Sequence, residues 1–116
     1  MNELGSNSAA RAARLNLEQE PVAGDQRVDG DPRTGAAVLT VFHGVEVGVW
    51  EMTPGVATDV EVDEVFIVLA GSATIEFADD SPALAVGPGD VVRLAAGAET
   101  RWTVTETLRK IYLTQA

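Results

Sequence analysis

The 116-residue chain contains no cysteine, one histidine, and only eight basic residues against eighteen acidic ones. Without cysteine it forms neither disulfides nor thiolate metal sites, and no reaction can use a cysteine nucleophile. Catalytic metals usually take three or more protein ligands with imidazole among them, so a single histidine argues against such a site. The net charge of −10 repels a phosphate backbone, and we therefore expect no nucleic-acid partner.

A long apolar run is also missing. No stretch approaches the roughly 18–20 residues that span a bilayer, and the first residues lack the basic-then-apolar pattern of a signal peptide. We therefore expect no membrane partner and a cytoplasmic location. The length and the 46% hydrophobic content correspond to one globular domain with a single core.

From Ala36 onward the chain consists of short segments rich in β-branched and apolar residues, which turn signals divide at about every eight to twelve residues. This pattern predicts an all-β barrel or sandwich. The predicted strands are 37–42, 45–52, 56–61, 64–70, 72–78, 83–86, 90–95, 99–105 and 107–114.

The preceding residues have a different pattern. Residues 21–35 hold two prolines and three glycines and are predicted to be loop. Residues 1–20 are predicted to be an N-terminal extension, either flexible or a short helix with Ser8 as its N-cap, and residues 21–116 to be the barrel domain.

Two glycine-containing stretches have a specific spacing. The first runs from Gly55 to Gly71, with six residues between Glu64 and Gly71. The second begins at Gly87-Pro88-Gly89-Asp90 and reaches Ala95-Ala96-Gly97. These stretches belong to a wider set of residues that is specific only when taken together. Its other members are Gly48-Val49-Trp50-Glu51, Thr53-Pro54, Asp63, Val65, Trp102, Glu106, Arg109-Lys110 and Tyr112.

From about Gly30 to Tyr112 these residues resemble the cupin superfamily, and more narrowly the small single-domain cupins related to the ureidoglycine aminohydrolase cupin domain. The resemblance implies a double-stranded β-helix (jelly-roll) barrel, commonly dimeric. It also implies metal-ligand positions. Three positions that carry histidine in the superfamily are Thr58, Val60 and Thr100 here, and only Glu64 is kept.

We therefore predict a barrel with no metal and no cofactor, to which the manganese-dependent aminohydrolase activity of two-domain relatives does not transfer. His43 is interpreted as a turn residue. The acidic residues Asp59, Glu61 and Asp63 are interpreted as a solvated face rather than a calcium site.

Side chains alternate across a strand, so the motif positions indicate which face looks inward. If the segment stays extended, Thr58, Val60 and Glu64 share the inner face with Phe66, and the three acids beside them point outward. The outward residues of the next strand are apolar: Val65, Ile67 and Leu69. Such a strand needs a cover on both faces, which the N-terminal segment or a second subunit could provide, and we predict a homodimer.

The inward positions together predict a small-molecule pocket with aromatic walls and few polar groups. Its predicted members are Trp50, Met52, Thr58, Val60, Glu64, Phe66, Thr100, Trp102, Lys110 and Tyr112. A buried lysine needs a partner, and Glu64 is the first candidate for Lys110, with Glu106 second.

The main functional hypothesis is a metal-independent cupin that binds a small polar or carboxylated organic molecule inside the barrel. One alternative is a small-metabolite enzyme, aminohydrolase- or isomerase-like, in which Glu64 and Lys110 act as an acid/base pair. Another is a dimeric scaffold whose interior is filled by its own side chains.

Overall fold

Nine strands of one continuous sheet make up most of the protein in the computed structural model, which describes residues 4–116. Within these residues a single 3-10 turn, Ala12–Arg14, precedes all nine strands. The strands are β1 (Glu20–Pro21), β2 (Arg27–Asp29), β3 (Arg33–Phe42), β4 (Val45–Met52), β5 (Gly55–Val60), β6 (Glu64–Phe77), β7 (Leu84–Val86), β8 (Val91–Leu94) and β9 (Glu99–Gln115). The predicted all-β fold is confirmed.

The long strand β9 connects the parts of the sheet. Its first half pairs with β5 and its second half with β4, both antiparallel. Its other edge pairs with β6 along nearly its whole length, and β6 in turn pairs with β7 and β8. β9 thus has a partner on each edge along most of its length, and the sheet curls around an interior.

The core fills one part of this interior. The cluster of buried apolar side chains includes Phe66, Ile75, Leu94 and Leu108, each no more than 1% exposed. Trp50 and Tyr112 pack against it and are partly exposed. The apolar core therefore occupies only part of the barrel interior, and aromatic side chains such as Trp50 and Tyr112 border the rest.

Two pairs of predicted strands are single strands in the structure. Residues 64–70 and 72–78 form β6, and residues 99–105 and 107–114 form β9. Gly71 does interrupt β6 locally, because the register with β9 shifts between Val68 and Ala73 and Gly71 has a φ of 88°. The turn signal was real, but it marks a bulge and not a strand end.

The segment 21–35 is more ordered than predicted. It contains the end of β1, all of β2 and the start of β3. β1 pairs with the start of β3, and β2 pairs with β5. Its prolines and glycines limit the first two strands to two or three residues without preventing them.

Residues 4–19 lie against the barrel. The Leu4 amide donates to the Leu39 carbonyl at 3.0 Å, and Arg109 Nη1 donates to the Ala12 carbonyl at 2.9 Å. Within residues 4–116 the expected helix with Ser8 as N-cap does not form: the Ser8 hydroxyl donates to the Gly5 carbonyl, and the one helical turn starts at Ala12. Residues 1–3 of the predicted extension lie outside the described residues. None of the helical structure within residues 4–116 is long and apolar enough to cross a membrane.

The bulge at Gly71 predicts a large effect of a small substitution. A Cβ at this position would collide with the Thr107 carbonyl oxygen, and alanine disfavours the positive φ. We expect Gly71→Ala to lower the free energy of unfolding by roughly 2–4 kcal/mol in urea denaturation. Gly24→Ala is the matched control, since no atom lies within 4 Å of its added Cβ, and it should change stability by less than about 0.5 kcal/mol. Equal effects of the two substitutions would contradict the assignment of the bulge.

Candidate functional site

A partly open cavity of about 740 Å³ lies inside the curled sheet. Strand β4 contributes Trp50 and Met52, and β9 contributes Trp102, Lys110 and Tyr112. Residues 20–23 and Glu18 cross one side of it, so the N-terminal segment forms part of the wall. Space of this size is within the range of small-molecule sites.

Lys110 is the most constrained group of the cavity. Its side chain is 6% exposed, and its Nζ donates to Glu64 Oε2 at 2.6 Å. The same Nζ lies 4.2 Å from the ring centroid of Phe66, 4.6 Å from that of Trp50 and 4.9 Å from that of Trp102. Three aromatic faces and one carboxylate thus surround the ammonium group, which compensates for much of its lost hydration.

The predicted partner of Lys110 is therefore in place. Glu64 begins β6, and Lys110 lies opposite Val68 of the same strand in the register with β9. Glu106, the second candidate, is exposed and lies opposite Ser72, beyond the bulge in β6. Because Lys110 donates one hydrogen bond to Glu64, the ammonium still has N–H groups to offer to a ligand.

Glu61 is a buried acid that the sequence prediction placed on the outside. It is 7% exposed, and its Oε2 accepts hydrogen bonds from Thr100 Oγ1 at 2.7 Å and Trp102 Nε1 at 3.0 Å. Burial raises the pKa of the Glu61 carboxyl above its ordinary value, and the hydrogen bonds from Thr100 and Trp102 offset part of that effect. The nearby charge of Lys110 also lowers this pKa, whereas Asp59 raises it.

The prediction that Val60 faces inward is also wrong. Strand β5 ends at Val60, which is 63% exposed. The next residue leaves the strand, because the Glu61 amide donates to the Ala98 carbonyl and the Glu61 carbonyl accepts from the Gly97 amide. Within β5 the inward residues are Ala57, opposite Trp102, and Asp59, opposite Thr100, so Val60 points outward and Glu61 continues the inward set. The phase changes only in the turn between Glu61 and Glu64.

Tyr112 closes one edge of the site. Its hydroxyl donates to Glu46 Oε2 at 2.8 Å. Its ring lies directly on Gly48, where any Cβ would collide with it. Burial, and then the bond to Glu46, raise the pKa of Tyr112 above its ordinary range, so the phenol is a hydrogen-bond donor rather than a base at neutral pH.

The structure brings most of the predicted pocket residues together. Those that line the cavity are Trp50, Met52, Thr58, Glu64, Trp102, Lys110 and Tyr112. Phe66 and Thr100 are buried just behind this wall, where they contact Lys110 and Glu61 respectively. Val60 lies outside it. Asp59 and Glu61, which the sequence analysis turned outward, line it instead.

The donor set does not fit the metal of the cupin superfamily. Within residues 4–116 no three histidine, aspartate or glutamate side chains are grouped so that they could hold a metal ion. Glu64 is bound to the Lys110 ammonium, and Asp63 turns away to Arg93 and the Ala96 amide. His43 lies in the turn between β3 and β4 with a φ of 50°.

The charge lining the cavity is strongly acidic. Among the described residues, five carboxylate side chains line it against one ammonium group. The acids are Glu18, Glu20, Asp59, Glu61 and Glu64, and the base is Lys110. Since Glu64 already neutralises Lys110, the remaining charge is negative throughout.

Comparison with known proteins agrees with this architecture. Residues 43–112 match the family model of the EutQ-like cupin domain. The EutQ protein of Clostridium difficile superposes with a TM-score of 0.68 at 17% identity, over 92% of this chain and 85% of that one. A cupin superfamily protein of Desulfitobacterium hafniense gives 0.64 at 13% identity, over 99% and 95%.

A third structure is a Pseudomonas syringae protein of unknown function from the DUF861 family. It superposes with a TM-score of 0.73 at 24% identity, over 85% of this chain and 44% of that one. At these identities the superpositions show the shared fold alone. No curated protein matches the sequence.

The ion pair in the cavity predicts a strong coupling between its two members. Lys110→Met leaves the Glu64 carboxylate enclosed without its partner, and we expect urea denaturation to show a loss of about 3 kcal/mol. The double variant Lys110→Met/Glu64→Gln removes both charges and should recover more than half of that loss. The exposed pair Arg93–Asp63, 3.2 Å apart, is the control, and Arg93→Met should cost less than about 1 kcal/mol. Additive effects of the two cavity substitutions would contradict this coupling.

The raised pKa of Glu61 predicts a pH dependence with a definite sign. The folded protein binds the Glu61 proton more tightly than the unfolded chain does, so this group reduces stability as the pH rises from about 4.5 through its raised pKa. Glu61→Gln keeps an acceptor for Thr100 and Trp102 but cannot ionise. The stability of this variant relative to the wild type should therefore be higher at pH 7 than at pH 4 in urea denaturation. An unchanged difference at the two pH values would show that Glu61 titrates normally.

Proposed function

Because this chain belongs to the EutQ-like cupin domain family, we propose that it binds a small polar organic molecule inside its barrel without the help of a metal ion. The observation that carries the proposal is the cavity of about 740 Å³, in which an enclosed ion pair and aromatic walls meet. A barrel that only served as a scaffold could fill this space with its own side chains, as protein interiors generally do.

The polar groups of the cavity are suited to orient a ligand. Lys110 is fixed by Glu64 and three aromatic rings, so its remaining N–H groups point in defined directions. Tyr112 and Glu61 are likewise held by hydrogen bonds to Glu46 and Thr100. Groups that are rigid before binding lose little entropy when a ligand arrives, which favours affinity.

The donor chemistry of this site supports metal independence. A metal bound at Glu64 would have to displace the Lys110 ammonium from a 2.6 Å hydrogen bond, and threonine stands at two of the positions where cupins carry histidine. For the same reason the narrower likeness to cupins related to the ureidoglycine aminohydrolase domain supports a shared fold rather than that manganese-dependent activity.

We further propose that two copies associate through the outer face of β6 and β9. Val65 lies opposite Leu113 and Ile67 opposite Ile111 on this face, and all four remain partly exposed. Val91, which is 67% exposed, extends the apolar patch onto β8. A second copy would bury a surface that is otherwise unfavourable in water.

Native mass spectrometry of untagged protein tests these proposals in one spectrum. We expect a dimer that retains an organic molecule and no stoichiometric metal. A thermal-shift screen of metabolites should then find ligands that stabilise the fold, by about 2.7 kcal/mol at a hundred times the dissociation constant.

Each part of the proposal can fail separately. A stoichiometric metal ion would contradict metal independence, and a monomer at micromolar concentration would contradict the dimer. A bare protein together with a metabolite screen that yields no stabilising compound would remove small-molecule binding and leave the scaffold as the better account.

A further inference from the structure

We propose that the ligand of this cavity carries an ammonium or amidinium group and that this cation binds the free carboxylate oxygen of Glu61. The inference rests on the proposed function, since it requires that the barrel cavity binds a small molecule. It specifies the charge of that molecule and the residue that recognises this charge.

The geometry of Glu61 supplies the first argument. Both hydrogen bonds from Thr100 and Trp102 reach the same oxygen, Oε2. Within residues 4–116, Oε1 accepts no hydrogen bond, and no fully buried side-chain oxygen or nitrogen is left without a partner. Because Glu61 as a whole is 7% exposed and lines the cavity, Oε1 is the part of the side chain that a ligand can reach.

The charge balance around Glu61 supplies the second argument. Lys110, the one base in the described lining, already has its counter-ion in Glu64 at 2.6 Å. Glu61 instead accepts hydrogen bonds from two neutral donors; Asp59 adds like charge nearby, and the charge of Lys110 offsets only part of it without bonding Glu61. An acid held by neutral donors in a mostly enclosed site still lacks a counter-charge, which a cationic ligand would provide.

The same balance disfavours an anionic ligand. A carboxylated molecule entering the cavity would approach Lys110, but it would meet Glu61, Asp59 and the two glutamates of the N-terminal segment, Glu18 and Glu20. In a partly enclosed cavity such like-charge contacts are weakly screened. The carboxylated ligand that the sequence allowed is therefore the weaker expectation, and a polar cation the stronger one.

The walls indicate which cations to test. Trp50 and Trp102 line the cavity with their ring centroids 5.6 Å apart, beside Met52 and Tyr112. Aromatic walls pack well against a flat ring, and they also attract cations through their faces. A small aromatic amine can thus place its ring against these walls while its ammonium group reaches Glu61.

A matched series of probes isolates the charge. Phenethylamine, 2-phenylethanol and phenylacetate share a ring and a short chain and differ in the terminal group, which near neutral pH is cationic, neutral or anionic respectively. In isothermal titration calorimetry with millimolar probe we expect the amine to bind about tenfold or more tightly than the alcohol, with the carboxylate weakest.

Two variants then locate the interaction. Glu61→Gln keeps an oxygen for Thr100 and Trp102 but loses the charge, so the affinity for phenethylamine should fall about tenfold while that for 2-phenylethanol changes little. Glu106→Gln makes the same change in net charge at an exposed position outside the cavity and should leave all three affinities unaltered. Circular dichroism spectra of both variants check that the fold is kept.

The outcomes separate this inference from the proposed function. Tighter binding of phenylacetate or 2-phenylethanol than of the amine, or an equal loss of amine affinity in both variants, overturns the assignment to Glu61 while small-molecule binding stands. If none of the three probes binds, the inference is overturned as well. The metabolite screen then decides whether the proposed function falls with it.

Discussion

The interior of this barrel is arranged around one lysine ammonium that is almost removed from water. A lysine in such a place is unfavourable unless a carboxylate and polarisable surfaces replace its hydration. Glu64 provides the carboxylate, and three rings on β4, β6 and β9 provide the surfaces. Strand β9 has to pair with β4 and β6 at the same residue for this to occur, and Lys110 lies opposite both Trp50 and Val68.

Within a single uninterrupted strand, the alternation of side chains correctly predicted which residues face the cavity. Trp102, Lys110 and Tyr112 on β9, and Trp50 with Met52 on β4, face the cavity as the period of two requires. Val60 was assigned to the wrong face because the inward phase of Glu64 was extended back across the turn into β5, where Ala57 and Asp59 are the residues that face inward. The predicted strands 56–61 and 64–70 were separated by only two residues, and so short a gap already indicates a turn after which the phase is lost. Glu64 was placed correctly through its motif position, which does not depend on that phase.

Local sequence patterns could not predict the features that depend on contacts between residues far apart in the chain. The N-terminal segment has little periodicity, and what holds it is Arg109, which bonds the Ala12 carbonyl while its other nitrogens bind Glu51. Gln19 donates to the same glutamate at 2.6 Å. These partners are between 32 and 97 residues apart in the chain. Sequence alone therefore gave no reason to place Glu18 and Glu20 in the wall of the cavity.

The two inward carboxylates, Glu64 and Glu61, differ in what compensates their charge. This difference suits Glu64 to a structural role and Glu61 to ligand recognition. Glu64 is matched by Lys110, so its charge is satisfied within the protein, and the pair helps to hold β6 and β9 in register. Glu61 accepts hydrogen bonds from a hydroxyl and an indole, which orient its carboxylate without neutralising it. Burial raises the pKa of Glu61. A group that is oriented yet uncompensated is unfavourable for folding alone. Such groups concentrate at binding sites, because the missing interaction becomes available when the ligand arrives.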